Sequence, residues 1–245
     1  MMGASGCINT NREGIAQTLT RLNQEGIGHL LANDSQAAVT CFEAALFVVQ
    51  NQNPAPAPTT TPPPTNDPTQ SMLPITLSDS FPFLNANEPS VFIFDQCLSI
   101  DMTISGDSSA DAQYVATTMI VFNLAVALHY NGMQHQQTKK LQRACHLYSL
   151  CASAIVPTIP ASFSDPAASY LVTMASLNNH AQIQSQLLGN KEIAAQLALE
   201  LQQRLVPLFA VASQCNTRIW APQFVGMLLN IATFLAYRFL ASPAA

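Results

Sequence analysis

Charge is what this chain has least of. Only 9% of its 245 residues are Asp, Glu, Lys or Arg, against about 25% in an ordinary soluble domain. The acids outnumber the bases, 14 to 9, for a net charge of −5. The densest basic cluster is Lys139, Lys140 and Arg143, so a phosphate backbone would meet overall repulsion, which excludes nucleic acid as a partner. Glycine is scarce too, with nine residues and no Gly-rich phosphate loop or GxSxG elbow. The histidines (His29, His129, His135, His146, His180) form no HExxH, and the six cysteines form no CxxC pair. Neither a metal site nor a disulfide framework is therefore expected, and the thiols read as buried and reduced. Cys145 and His146 adjoin, but neighbours on a helix point about 100° apart and share no face. Glu43, Asp95, Asp101, Glu192 and Glu200 lie scattered, with no pair placed for acid–base work. The expectation is a non-enzymatic protein without a cofactor. No basic region precedes an apolar run at the N-terminus, so an intracellular, cytoplasmic setting is expected.

What the chain does have is an echo. Phe122-Asn123-Leu124-Ala125 returns as Leu177-Asn178-Asn179-His180-Ala181 and as Leu229-Asn230-Ile231-Ala232. The alanines stand 56 (181−125) and 51 (232−181) residues apart. A recurrence at near-constant period points to stacked supersecondary units.

In order, residues 1–13 read as a disordered tail, and 14–52 as a helical hairpin. Its first helix places Ile15, Leu19, Leu22, Gly26 and Leu30 on one stripe. Asn33-Asp34-Ser35 supplies the turn and a cap, and Ala38, Phe42, Ala45 and Leu46 line the second helix. Residues 53–74 are a Pro/Thr-rich linker, expected to be mobile. Residues 75–106 read as a β-hairpin insertion, with strands at 90–94 and 98–102 around Asp95-Gln96-Cys97. Residues 107–241 carry a second hairpin, a third with its turn at Leu188-Gly189-Asn190, and a closing helix from Ala221 to Leu240. They form one domain with 14–52. In the second hairpin Ala144, Tyr148 and Cys151 keep the offsets of Ala38, Phe42 and Ala45, but seven extra residues separate its halves (19−12). Ile219 to Tyr237 carries no charge, yet Pro222, Gln223, Asn230 and Thr233 interrupt it, so a buried helix is expected rather than a membrane span.

The offsets of Gly26, Ala38, Phe42 and Ala45 resemble those of the tetratricopeptide repeat, where small residues let two helices cross closely and a ring fills the gap. Residues 75–245 also resemble uncharacterised tetratricopeptide-like proteins predicted in microalgae. The likeness runs through Ile120–His129, Leu141–Tyr148, Leu177–Ile183 and the helix holding Leu228-Leu229-Asn230. The fold implied is all-α: a stack of about three helical hairpins plus a closing helix, with a small β-hairpin insertion.

The resemblance implies a concave groove lined by the first helix of each unit. Asn123, Asn179 and Asn230 would form a ladder along it, with Asn23 and Ile27 in the first unit. A carboxamide carries donor and acceptor, so it can pair with an extended backbone without reading side chains. It can equally tie its own helix to the next one. Members of the family that clamp a C-terminal carboxylate resemble each other in having Lys and Asn at set positions of the first repeat and basic residues in the third, where this chain has Asn23, Ile27, Ala175 and Asn179. That mode is not expected, because it would forgo charge-assisted bonds. The function expected is an adaptor that binds a protein or peptide segment in the groove. The alternative is a binder of a small apolar ligand or lipid between helices.

Overall fold

A computed structural model of the chain describes residues 6–51, 75–78, 92–102, 110–154, 166–212 and 221–240. The described residues form α1 (Gly6–Leu31), α2 (Ser35–Gln50), α3 (Ala110–Gln134), α4 (Thr138–Ala154), α5 (Pro166–Gln182), α6 (Lys191–Ala212) and α7 (Ala221–Leu240). Each helix packs on the next in sequence, giving three hairpins (α1–α2, α3–α4, α5–α6) closed by α7. The fold is all-α with one small sheet.

Local chemistry sets the turns. Asn33 takes a left-handed φ of 63° where α1 ends, and Asp34 accepts a hydrogen bond from the Ala37 N–H at 3.0 Å to start α2. α5 widens into a π-helical turn, Ile183–Leu187, before Gly189 (φ 72°) reverses the chain into α6. The crossing of α1 and α2 depends on Gly26, where an added Cβ would stand 2.6 Å from Phe42 Cε1. Gly132 repeats the device against Leu141, whose Cδ2 would be 2.8 Å away. Ala144, Tyr148 and Cys151 are buried at the α3–α4 crossing, as Ala38, Phe42 and Ala45 are at the first.

Two sequence expectations are corrected, and an open alternative is resolved. α1 begins at Gly6, so residues 6–13 of the expected tail are helical, while residues 1–5 lie outside the described residues. Polar Thr10, Asn11 and Arg12 hide the stripe there. The seven extra residues of the second hairpin, which longer helices or a wider loop could equally hold, lie in the helices, since only His135, Gln136 and Gln137 separate α3 from α4. The strands are also different. β2 (Leu98–Ile100) pairs antiparallel with β1 (Ile75–Leu77), in the register Leu77↔Leu98, Thr76↔Ser99 and Ile75↔Ile100. Phe92–Phe94, expected as the partner strand, joins no sheet, and Ser90 and Val91 lie outside the described residues. The Pro/Thr linker over 53–74 also lies outside them.

Residues 92–102 cross the odd-numbered helices in reverse order, from α7 at Phe92 to α1 at Met102. The lengths agree. Six residues of extended chain, from 92 to 98, reach about 20 Å. Two steps between neighbouring helices, α7 to α5 to α3, need about 20 Å as well.

Substituting Gly26→Ala should destabilise the chain by about 1–3 kcal/mol, because the methyl must displace a ring in a filled core. In a Phe42→Leu background the same change should cost clearly less. A double-mutant cycle followed by circular dichroism during urea unfolding measures this coupling.

Candidate functional site

An extended segment has backbone donors and acceptors that must be satisfied wherever water is excluded. Here side-chain carboxamides on successive odd-numbered helices meet them. On α7, Asn230 Oδ1 accepts from the Phe92 N–H at 2.8 Å while its Nδ2 donates to the Phe92 carbonyl at 2.5 Å. On α5, Asn179 treats Phe94 alike, at 2.8 and 2.9 Å. On α3, Asn123 holds Leu98 at 2.9 and 2.8 Å. On α1, Asn23 Nδ2 adds a second donor to the Leu98 carbonyl at 2.9 Å, and Thr20 Oγ1 accepts from the Met102 N–H at 3.1 Å. Each of the three asparagines on α3, α5 and α7 thus imitates the edge of a neighbouring strand for one residue. Only one orientation of the amide pairs both atoms, so the backbone dictates the flip.

Register explains which residues are caught. Backbone groups of a strand alternate sides with a period of two, and the held residues 92, 94, 98 and 102 are all even. The odd side belongs to β1 and to Ser78 just beyond it: the Cys97 carbonyl accepts from the Ser78 N–H, and the Cys97 N–H donates to Ser78 Oγ, both at 2.9 Å.

The rail is also knitted sideways. Asn123 Nδ2 donates to Asn23 Oδ1 at 2.8 Å, and Asn230 Nδ2 to Asn178 Oδ1 at 2.7 Å. Asn178 and Asn179 are neighbours in sequence and bonded at 3.1 Å, and Asn178 Nδ2 also reaches the Phe92 carbonyl at 3.2 Å. Both roles open to the asparagines, holding an extended backbone and tying helix to helix, are therefore present at once. All five carboxamides are buried and neutral, so they need hydrogen bonds but no counter-charge.

Beneath the rail lies an aromatic column. Phe94 meets Phe122 edge to face with ring centres 6.0 Å apart, Phe122 meets Tyr148 at 6.0 Å, and Tyr148 meets His129 at 6.0 Å. The Tyr148 hydroxyl accepts from Asn179 Nδ2 at 3.2 Å and lies 3.4 Å from His129 Nδ1. Burial lowers the His129 pKa to about 3, partly offset by Gln182, so its ring is neutral at physiological pH. Burial raises the thiols of Cys145 and Cys151 to about 12 and pushes Cys97 well up. These sulfurs stay protonated and are poor nucleophiles. What the site does chemically is satisfy a peptide backbone.

No family model matches the chain, and neither a curated protein nor a solved structure shows significant similarity to it. Among the described residues no group of three His, Cys, Asp or Glu could hold a metal, and no helix is long and apolar enough to cross a membrane.

Of the residues expected in the groove, Asn123, Asn179, Asn230 and Asn23 come together on the rail. Ile27 does not; it is buried in the core on α1. His129 turns to Tyr148, and His146 is exposed. Sequence reasoning missed Asn178, Thr20 and Gly226. Gly226 is four residues before Asn230, and a Cβ there would sit 2.7 Å from Phe92 Cδ1, inside the space of the ring. Spacing i, i+4 places the notch and the clamp on one face of α7. It also missed that the backbone on the rail belongs to this same chain.

Asn179→Ala strips the Phe94 N–H and carbonyl of their partner inside the core and should lower stability by about 2–4 kcal/mol, read from urea unfolding. A second prediction concerns pH. The folded His129 pKa lies below its unfolded value, so the unfolded chain binds more protons between the two. Stability should be complete above about pH 6.5 and fall as pH drops towards 3, by about 2 kcal/mol at pH 5 for this group. Burial lowers His180 to about 4 and adds loss of the same sign. His129→Gln should flatten the pH dependence of the urea midpoint; an unchanged slope would remove His129 as its source.

Proposed function

We propose that the chain is a non-enzymatic protein-interaction scaffold of the tetratricopeptide-like kind, which holds an extended peptide segment along its odd-numbered helices. One observation carries this: three asparagines on three successive odd-numbered helices each bond both backbone atoms of a single residue. Carboxamides spaced to match an extended chain form a receptor for backbone, indifferent to the side chains it bears. Alternate apolar positions then supply contact area, as Phe94, Leu98 and Ile100 do here, each nearly inaccessible to solvent. The thiols of Cys41, Cys97, Cys145 and Cys151 are free, which favours a reducing, intracellular setting. The occupant of the rail is the chain's own segment 92–102, and a partner segment would make the same bonds in its place.

The test vacates the rail. Residues 91–102 are replaced by a Gly/Ser run of equal length, helicity is checked by circular dichroism, and a synthetic peptide of residues 90–104 is titrated in by calorimetry. One-to-one binding, abolished by Asn123→Ala with Asn179→Ala, is the expected outcome. A folded, vacated chain that ignores the peptide would contradict the proposal.

A further inference from the structure

The hold on the segment is uneven along its length. Phe94 is 1% exposed and Leu98 2%, so releasing either would open the core. Phe92 is only half-buried, and its bonds to Asn230 lie partly in solvent. It is also held by α7, which packs on α6 and α5 among the described residues. Releasing Phe92 costs three part-buried hydrogen bonds, two with Asn230 and one from Asn178, and the burial of part of one ring, without opening the core. Release therefore begins there.

The same end is where another chain would find purchase. α7 exposes Val225 at 56%, Leu228 at 41% and Leu229 at 63%, directly beside Gly226 and Asn230. Scattered exposed apolar residues are ordinary, but these flank a glycine notch and a two-atom backbone clamp. The notch specifies chemistry. It fits the flat ring now in it only because residue 226 has no side chain. The clamp is neutral, as are Asn178 and Asn179 behind it, so a charged side chain brought here would lose water and gain no counter-ion.

We infer that the groove is loaded from its α7 end, by an uncharged extended segment of a partner protein that places an aromatic ring in the Gly226 notch and its backbone on Asn230, displacing Phe92 first. This rests on the scaffold proposal above and adds the location of exchange and the kind of segment that makes it. The chain's own segment is then a competitor, lowering apparent affinity by the fraction of time the notch is filled.

The probe is a fluorescein-labelled peptide of residues 90–94, which carry no charged side chain, followed by anisotropy against the full chain. Phe92→Gly empties the notch without altering the receptor and should tighten binding by about tenfold over the unsubstituted chain. Adding Gly226→Ala or Asn230→Ala should abolish that gain, and a peptide with Gly in place of its own Phe92 should not bind. No gain in the Phe92→Gly chain, or a gain that survives Gly226→Ala, would overturn the inference. So would a gain seen only with a doubling of mass by light scattering, since the occupant would then be a second copy. Should Phe92→Gly unfold the chain, the unsubstituted protein decides: amide exchange should be about tenfold faster at Phe92 than at Phe94 or Leu98, and equal rates would defeat the inference. If the vacated chain binds its peptide while the Phe92→Gly chain gains nothing, the scaffold proposal stands and the α7 route alone fails.

Discussion

The structure turns on a single unit of recognition, one neutral carboxamide laid against one peptide group. An asparagine that accepts from an N–H and donates to the carbonyl of the same residue replaces the edge of a β-strand with a side chain. Repeated by Asn230, Asn179 and Asn123 on α7, α5 and α3, it lets an extended chain cross a stack of helices without a sheet to receive it. The spacing of the helices then fixes which residues are caught. The interval from Phe92 to Phe94 is two residues and that from Phe94 to Leu98 is four, both even, so the same edge of the backbone always faces the rail. An odd interval would turn the groups away from their partners.

This constraint reaches the rest of the chain. A rail made of amides must be dry and neutral to be strong, and the chain is correspondingly poor in charge. The ion pairs among the described residues, such as Arg143–Glu43 at 2.7 Å, lie on the exposed outside and contribute little. Small residues stand where rings and branched side chains must approach helices: Gly26 under Phe42, Gly132 under Leu141 and Gly226 under Phe92. The first two join helix to helix and the third joins helix to segment, by one steric device. Ala125 and Ala181 are buried, while Ala232 on α7 is exposed.

Much of the stack was legible in the sequence, because its signals are local and steric. The offsets from Gly26 to Ala45, the Asn33-Asp34 turn, the Leu188-Gly189-Asn190 reversal and the bounds of the closing helix all mark positions where one residue type fits the backbone. The Asn-x-Ala echo marked the rail itself. What faces the rail was not legible. The alternation in Phe92-Ile93-Phe94 and Leu98-Ser99-Ile100 is that of any half-buried strand, and nothing in it separates pairing with another strand from pairing with side chains. β1 is three residues long, too short to announce itself. Gly226 reads as a helix glycine until the ring it accommodates, 134 residues earlier (226−92), is in place.

Each asparagine must hold its own residue of the segment if the rail is what fixes the extended chain. Residue-resolved amide hydrogen exchange on three single substitutions tests this most directly. Asn230→Ala should accelerate exchange chiefly at Phe92, Asn179→Ala at Phe94 and Asn123→Ala at Leu98, with the helical amides far from each site unchanged. Acceleration spread evenly over residues 92–102 whichever asparagine is removed, or none at all, would show that the segment is held by something other than the rail.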